Sequence, residues 1–404
     1  MTAVAERPVV DPPRRRVLRP LLALVLLVAA VWGVVLAALP TPSADPLLVS
    51  STPEMHELVQ SPDEVRLTFD RPVPAALATI GITSATGDQV VSGRPYRPAD
   101  AGDDTIAVAM PETRYEGTYW VSWSVPTANW ETAQGRFEFS IYAPTADIAL
   151  PELRTDPHPV LAVALGIARG IGLVGFVLLL ATAFRAAAHG VGDLHRSFAR
   201  TWWTTAAATA ATFLLFGGYA ARTGLWGALD PALVPATAAS EVGTALLARL
   251  GGLVIAAIGL RFLARAGSGS APRAVAVLLA GAALAVTFVV ASPHEPGGPA
   301  PLALVAGAAM LLAAGVVVGT LFATEPRTGL LLPAALVLVA SGLTGGLTQA
   351  AVLAVAGVVV ALGGLLAARA PASMVLRLVV ATATVAAVVA VGLLPAGPAL
   401  LVVG

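Results

Sequence analysis

Glu64-Val65-Arg66-Leu67-Thr68-Phe69 alternates polar and apolar residues one by one. A half-buried strand has this pattern, because its successive side chains point to opposite faces. The same alternation returns in Tyr119-Trp120-Val121-Ser122-Trp123 and in Arg136-Phe137-Glu138-Phe139-Ser140-Ile141. Turn formers separate such runs at Ser61-Pro62-Asp63, Gly87-Asp88, Asp103-Asp104 and Glu116-Gly117. Short alternating strands at this spacing predict an Ig-like antiparallel β-sandwich over residues 45–142. Trp120, Trp123, Phe137 and Phe139 are expected to fill its core.

Outward from this block the chain changes character. Of its 404 residues, 57% are hydrophobic and 12% charged, against about 25% charged in soluble domains. The mean hydropathy is +0.81. Apolar runs long enough to cross a bilayer recur outside the block, so a polytopic all-α membrane bundle is expected beside the sandwich. The runs lie near residues 17–39, 158–184, 201–221, 241–264, 274–292, 301–323, 329–347, 348–368 and 374–395, about nine spans in total. Residues 1–16 read as a disordered cytoplasmic tail ending in Arg14-Arg15-Arg16. Residues 17–40 are an anchor or a secretory signal, and their length favours an anchor. Residues 143–157 form a linker, and 158–404 an eight-helix membrane domain.

The arginines orient this topology. With the N-terminus inside, Arg185, Arg196, Arg200, Arg261, Arg265, Arg273, Arg327, Arg369 and Arg377 all fall on the cytoplasmic side, as the positive-inside rule requires. Arg222 is the exception among the later loops. The sandwich is then extracytoplasmic, on a bacterial plasma membrane. Ala and Gly crowd the spans, which lets helices pack closely in lipid. The preference for Arg over Lys suggests a high-GC, actinobacterial genome. Acidic and basic residues balance at 24 each, which gives no electrostatic basis for a nucleic-acid partner. The chain has no cysteine, so disulfides and thiolate metal sites are excluded.

The block also resembles a known family. Leu48-Val49-Ser50-Ser51-Thr52-Pro53 is followed by Pro62-x-Glu64-Val65-x-Leu67-x-Phe69-x-x-Pro72-Val73. Gly117-Thr118-Tyr119-x-Val121-x-Trp123 and Gly135-x-Phe137-x-Phe139 come next. This ordered series resembles the CopC family of periplasmic copper-binding β-sandwiches. The following helices resemble the CopD family, its membrane partner, with which it is often fused. Gly243-x-x-x-Leu247-x-Arg249 before a span and Ser292-Pro293-His294 in an outer loop carry that second resemblance.

The resemblance implies a copper(II) site built from an N-terminal His and an Asp-x-His pair before the last strand. Imidazole and carboxylate suit that ion. Here the corresponding positions hold Asp45, Asn129 and Glu131. They form an oxygen-rich set better suited to a hard cation, or plain surface polars. In the helices, a CopD-like His-to-Trp spacing falls on Met310 and Val317. A thioether suits copper(I), and it also suits ordinary packing. His158 and His294 lie at the outer mouths of spans and are the expected relay. His189 and His195 are expected in a cytoplasmic loop, and His56 in the outer block.

Arg169 and Arg249 fall inside spans, where a charge costs at least about 2.5 kcal/mol and usually faces a cavity or the bundle interior. Glu241 stands two turns before Arg249 and is a candidate partner for either. Fixed cations repel a metal ion, so these residues hold the bundle together or bind an anion. No nucleophile elbow, phosphate loop or His-Glu-x-x-His motif is present, and a non-enzyme is expected. The expected function is copper handling, with the sandwich binding or presenting the ion and the bundle moving it inward. The alternative is a scaffold without ligands that docks another envelope protein and binds no metal.

Overall fold

The computed structural model describes residues 25–26, 28–36, 45–112, 115–127, 132–145, 159–189, 194–265, 270–291, 301–322, 331–342, 352–362 and 374–393. Among the described residues, eight strands form two sheets. They are β1 (Leu48–Thr52), β2 (Leu58–Val59), β3 (Glu64–Phe69), β4 (Thr79–Ser84), β5 (Gln89–Gly93), β6 (Thr105–Ala109), β7 (Gly117–Pro126) and β8 (Thr132–Ile141). One sheet has the order β1-β3-β6 and the other β2-β8-β7-β4-β5.

The period-2 pattern sets the core. Val65, Leu67 and Phe69 of β3, Tyr119, Val121 and Trp123 of β7, and Phe137, Phe139 and Ile141 of β8 are buried in one apolar cluster. Phe69 meets Trp123 edge-on at 5.2 Å, and Tyr119 stacks on Phe139 at 5.7 Å. Gly135 lies directly under the Trp123 ring, where a Cβ would approach within 2.6 Å.

Two details differ from the sequence reading. The short β2 pairs with β8 in parallel, so the second sheet is not wholly antiparallel. Trp120 is not in the core. It sits between Tyr119 and Val121, so alternation turns it to the other face of the sheet, where the Arg136 guanidinium lies 5.9 Å from its ring.

Helices follow: α1 (residues 28–36), α2 (Pro159–His189), α3 (Leu194–Ala220), α4 (Leu233–Ala239), α5 (Glu241–Arg265), α6 (Ser270–Val290), α7 (Pro301–Leu321), α8 (Leu331–Gly342), α9 (Val352–Leu362) and α10 (Met374–Leu393). A helix stands within each run read as a span. Of these, α2, α5, α6 and α7 are long and apolar enough to cross a membrane. α3 is long but less apolar. Its Thr201, Thr204, Thr205, Thr209 and Thr212 hydroxyls donate back to carbonyls of their own helix, which satisfies them without water.

α2 is the hub and packs against α3, α6, α7 and α10. Gly281 of α6 and Gly315 of α7 both face Leu180, closer than a Cβ would allow. These small residues bring the helices together. α1 joins the same core through Val31 and Val35.

Phe139 is fully buried and stacked. Phe139→Ala should therefore cost the sandwich roughly 3–5 kcal/mol. Urea unfolding followed by tryptophan fluorescence measures this, and a loss below about 1 kcal/mol would contradict the packing.

Candidate functional site

The strand ends decide which part of the sandwich meets the bundle. β7 ends at Pro126 opposite the start of β8 at Thr132, and Ser124 pairs with Thr79 at the start of β4. The end of β3 leads through a 3-10 turn at Ala75–Leu77 to that same Thr79. All of these termini therefore gather at one end of the sandwich.

That end rests on the helices. The 3-10 turn touches α3 and α4, and Leu77 is fully buried within the helical core cluster. Arg94 donates to Asp230 Oδ2 at 2.6 Å. Asp230 closes a second 3-10 turn at Gly227–Leu229 and accepts the Ala232 N–H at 2.9 Å. These two bonds, the Ala232 amide first, hold its carboxyl below the usual range. Arg222, two residues past α3, is left-handed (φ 52) and donates to Thr132 Oγ1 at 3.0 Å. The arginine that was the exception among the later loops thus bonds the first residue of β8.

Sequence reasoning missed Leu77, Arg94, Asp230 and Thr132. Only the odd placement of Arg222 signalled this contact.

Asp45 is half-buried just ahead of β1. The positive charge of Arg71 acts on it, and Arg71 itself grips Asp70, with Nε 3.0 Å from Oδ1 and Nη2 2.7 Å from Oδ2. Asp70 also accepts the Leu47 N–H at 2.9 Å. The Arg71 bonds first, and the Leu47 bond second, push the Asp70 carboxyl down to about 2.

The expected ligands Asn129 and Glu131 lie outside the described residues, between Pro126 and Thr132. Among the described residues, no group of three His, Asp or Glu could hold a metal. His56 is exposed and faces Glu138 Oε1 at 3.1 Å. The described donors at this end are oxygens beside a cation and do not fit copper(II), which favours imidazole nitrogen.

In the bundle, His158 and His294 lie outside the described residues, as do the side chains of His189 and His195. Met310 of α7 is buried in the apolar core. Arg169 of α2 and Arg249 of α5 do converge, because both line one small cavity. Glu241, at the start of α5, does not line it. Arg249 bonds to Thr287 of α6, its Nη2 donating to the carbonyl at 2.7 Å and its Nε to Oγ1 at 3.1 Å.

Residues 48–142 match the family model of the CopC domain. CopC from Methylosinus trichosporium OB3b is 28% identical, over 26% of this chain and 99% of that one, with a TM-score of 0.22. PcoC, a methionine-rich copper resistance protein from Escherichia coli, is 21% identical over 24% of this chain and 99% of that one, also at 0.22. No curated protein matches the chain.

The Asp70 carboxyl lies below its ordinary 3.8, so the Asp70–Arg71 pair contributes stability above pH about 4, lost as pH falls toward 2. Asp70→Asn should flatten the acid limb of sandwich unfolding in that window. Superimposable acid titrations of the two proteins would contradict the assignment.

Proposed function

We propose that this chain is a copper-resistance-related membrane protein of the cell envelope, with its CopC-type sandwich seated on the outer end of its own helical bundle. The seating at the β7–β8 end carries the reading. By resemblance to the family, that connection is where copper ligands stand, and here its first β8 residue is bonded to Arg222 of the bundle. The sandwich is a docked cap in this reading, not a shuttle swinging on a linker. The arginine distribution supports an inside N-terminus and an outside sandwich. A span count of nine and a CopD-like character for the bundle rest on the apolar runs and on the motifs quoted from the sequence.

Copper is the cargo in this proposal, and its inward movement is the finer part. At Asp45 a carboxylate stands where the resemblance implies histidine. The ligands of any route are then to be sought in Asn129, Glu131, His158 and His294, with Met310 as a thioether in the helical core.

A second reading has its own support. β1 and β2 are edge strands and leave Leu47, Val49, Met55 and Leu58 more than half exposed. Such edges accept an added strand from another protein, as a scaffold without metal would. A partner that stays bound through chelation distinguishes it.

The test is metal content of the full-length protein in detergent, loaded separately with copper(II) and copper(I) under a competing chelator. The copper reading predicts near-stoichiometric retention of one ion, lowered by His294→Ala. Retention of neither ion, in folded protein, would overturn it and leave the scaffold.

A further inference from the structure

α2 is the hub of the bundle, yet one stripe of it stays open. Val163, Ile167, Ile171 and Leu178 are 36% to 62% exposed. They are spaced by four, four and seven residues, so they share a helix face. Where that face passes between α3 and α10, the surface falls into a groove of ≈ 280 Å³. Gly170, Ile171 and Leu178 of α2, Thr201 and Thr204 of α3, and Val389 of α10 are among the residues that line it. Its α2 wall, from Gly170 to Leu178, runs about 12 Å along the helix. The Thr201 and Thr204 hydroxyls donate to carbonyls of their own helix, so the lining offers little to water. The groove suits a hydrocarbon chain.

One mouth of this groove is basic. Thr182 of α2 and Thr201 of α3 stand side by side, their hydroxyl oxygens 3.4 Å apart. Arg185 follows Thr182 by three residues and Leu178 by seven, which places it on the groove face of α2. Arg200 precedes Thr204 by four residues, which places it on the groove face of α3. Arg196 is one turn further along that face. Arg196 and Arg200 are exposed and Arg185 is half-buried. Trp203 lies within a turn of Arg200 and is 67% exposed, and tryptophan favours the membrane–water interface. From Thr182 to Thr204 the chain carries three arginines against one acidic residue, Asp193. An apolar groove between helices that opens onto arginines at interface depth is complementary to a lipid with an anionic headgroup.

We propose that this groove holds an acyl chain of one anionic phospholipid, whose phosphate is met by Arg185 and Arg200. A second copy of the chain is a poor occupant. Both copies would cross the membrane in the same sense, so their arginines would meet at one depth and repel. The site requires only that α2 and α3 lie in a bilayer, and it stands whether or not the protein carries copper.

The test uses full-length protein, delipidated in detergent and titrated with phosphatidylglycerol or with phosphatidylcholine of the same acyl chains. Native mass spectrometry counts the lipid retained, and the unfolding midpoint reports its effect. One phosphatidylglycerol per chain should be retained, with a saturable rise in midpoint that neither phosphatidylcholine nor inorganic phosphate gives. The Arg185→Gln, Arg200→Gln double variant should bind it about thirtyfold more weakly, as expected for two arginines at a lipid surface. Thr204→Phe, at an exposed position, should fill the groove and abolish retention. Equal retention of the two lipids would overturn the site, as would the same rise with inorganic phosphate. Retention of neither lipid would mean that the chain itself or a second copy covers the groove, and would also overturn it. So would a double variant that binds as the parent does. If the double variant does not fold, the parent's preference for phosphatidylglycerol and its loss in Thr204→Phe decide.

Discussion

Leu77 ties the molecule together. It belongs by sequence to the sandwich, between β3 and β4, yet it is fully buried in the apolar cluster of the helices. Removing such a side chain from water is worth roughly 1.5–3 kcal/mol, far more than an exposed ion pair supplies. The polar bonds around it then set orientation. Arg94 to Asp230 and Arg222 to Thr132 each bond sandwich to bundle. The seat brings the start of β8 onto the bundle, where Thr132 meets Arg222.

Much of the fold was legible because its periods were clean. Val65, Leu67 and Phe69 announced β3, and the apolar runs announced the helices. The same alternation, read strictly, would have turned Trp120 outward, since it cannot share a face with Tyr119 and Val121. The seat itself was not legible. Leu77 follows Pro72-Val73-Pro74, a stretch that reads as loop, and nothing local says that one of its residues will enter another domain. β2 was hidden for a similar reason, being only two residues long.

The candidate sites were legible in part. Arg169 and Arg249 stood out as charges within apolar runs, but they are 80 positions apart. Whether they meet depends on helix rotation, which sequence does not fix. Glu241 was the natural partner by spacing along α5. The C-terminal turn of α6 holds Arg249 through Thr287, and that helix end comes from packing alone. At the sandwich tip the loss of histidine was plain at Asp45. The bond of Arg71 to Asp70 just beyond β3 was not legible there.

The central claim is that sandwich and bundle form one docked body. The chain has no cysteine, so an Arg94→Cys, Asp230→Cys double variant carries the only two thiols. Treated in native membranes with a short bifunctional thiol reagent, it should cross-link within one chain, rapidly and near completion. Failure to cross-link, while each single variant labels fully with a maleimide, would mean that the sandwich does not sit on the bundle and would contradict the account.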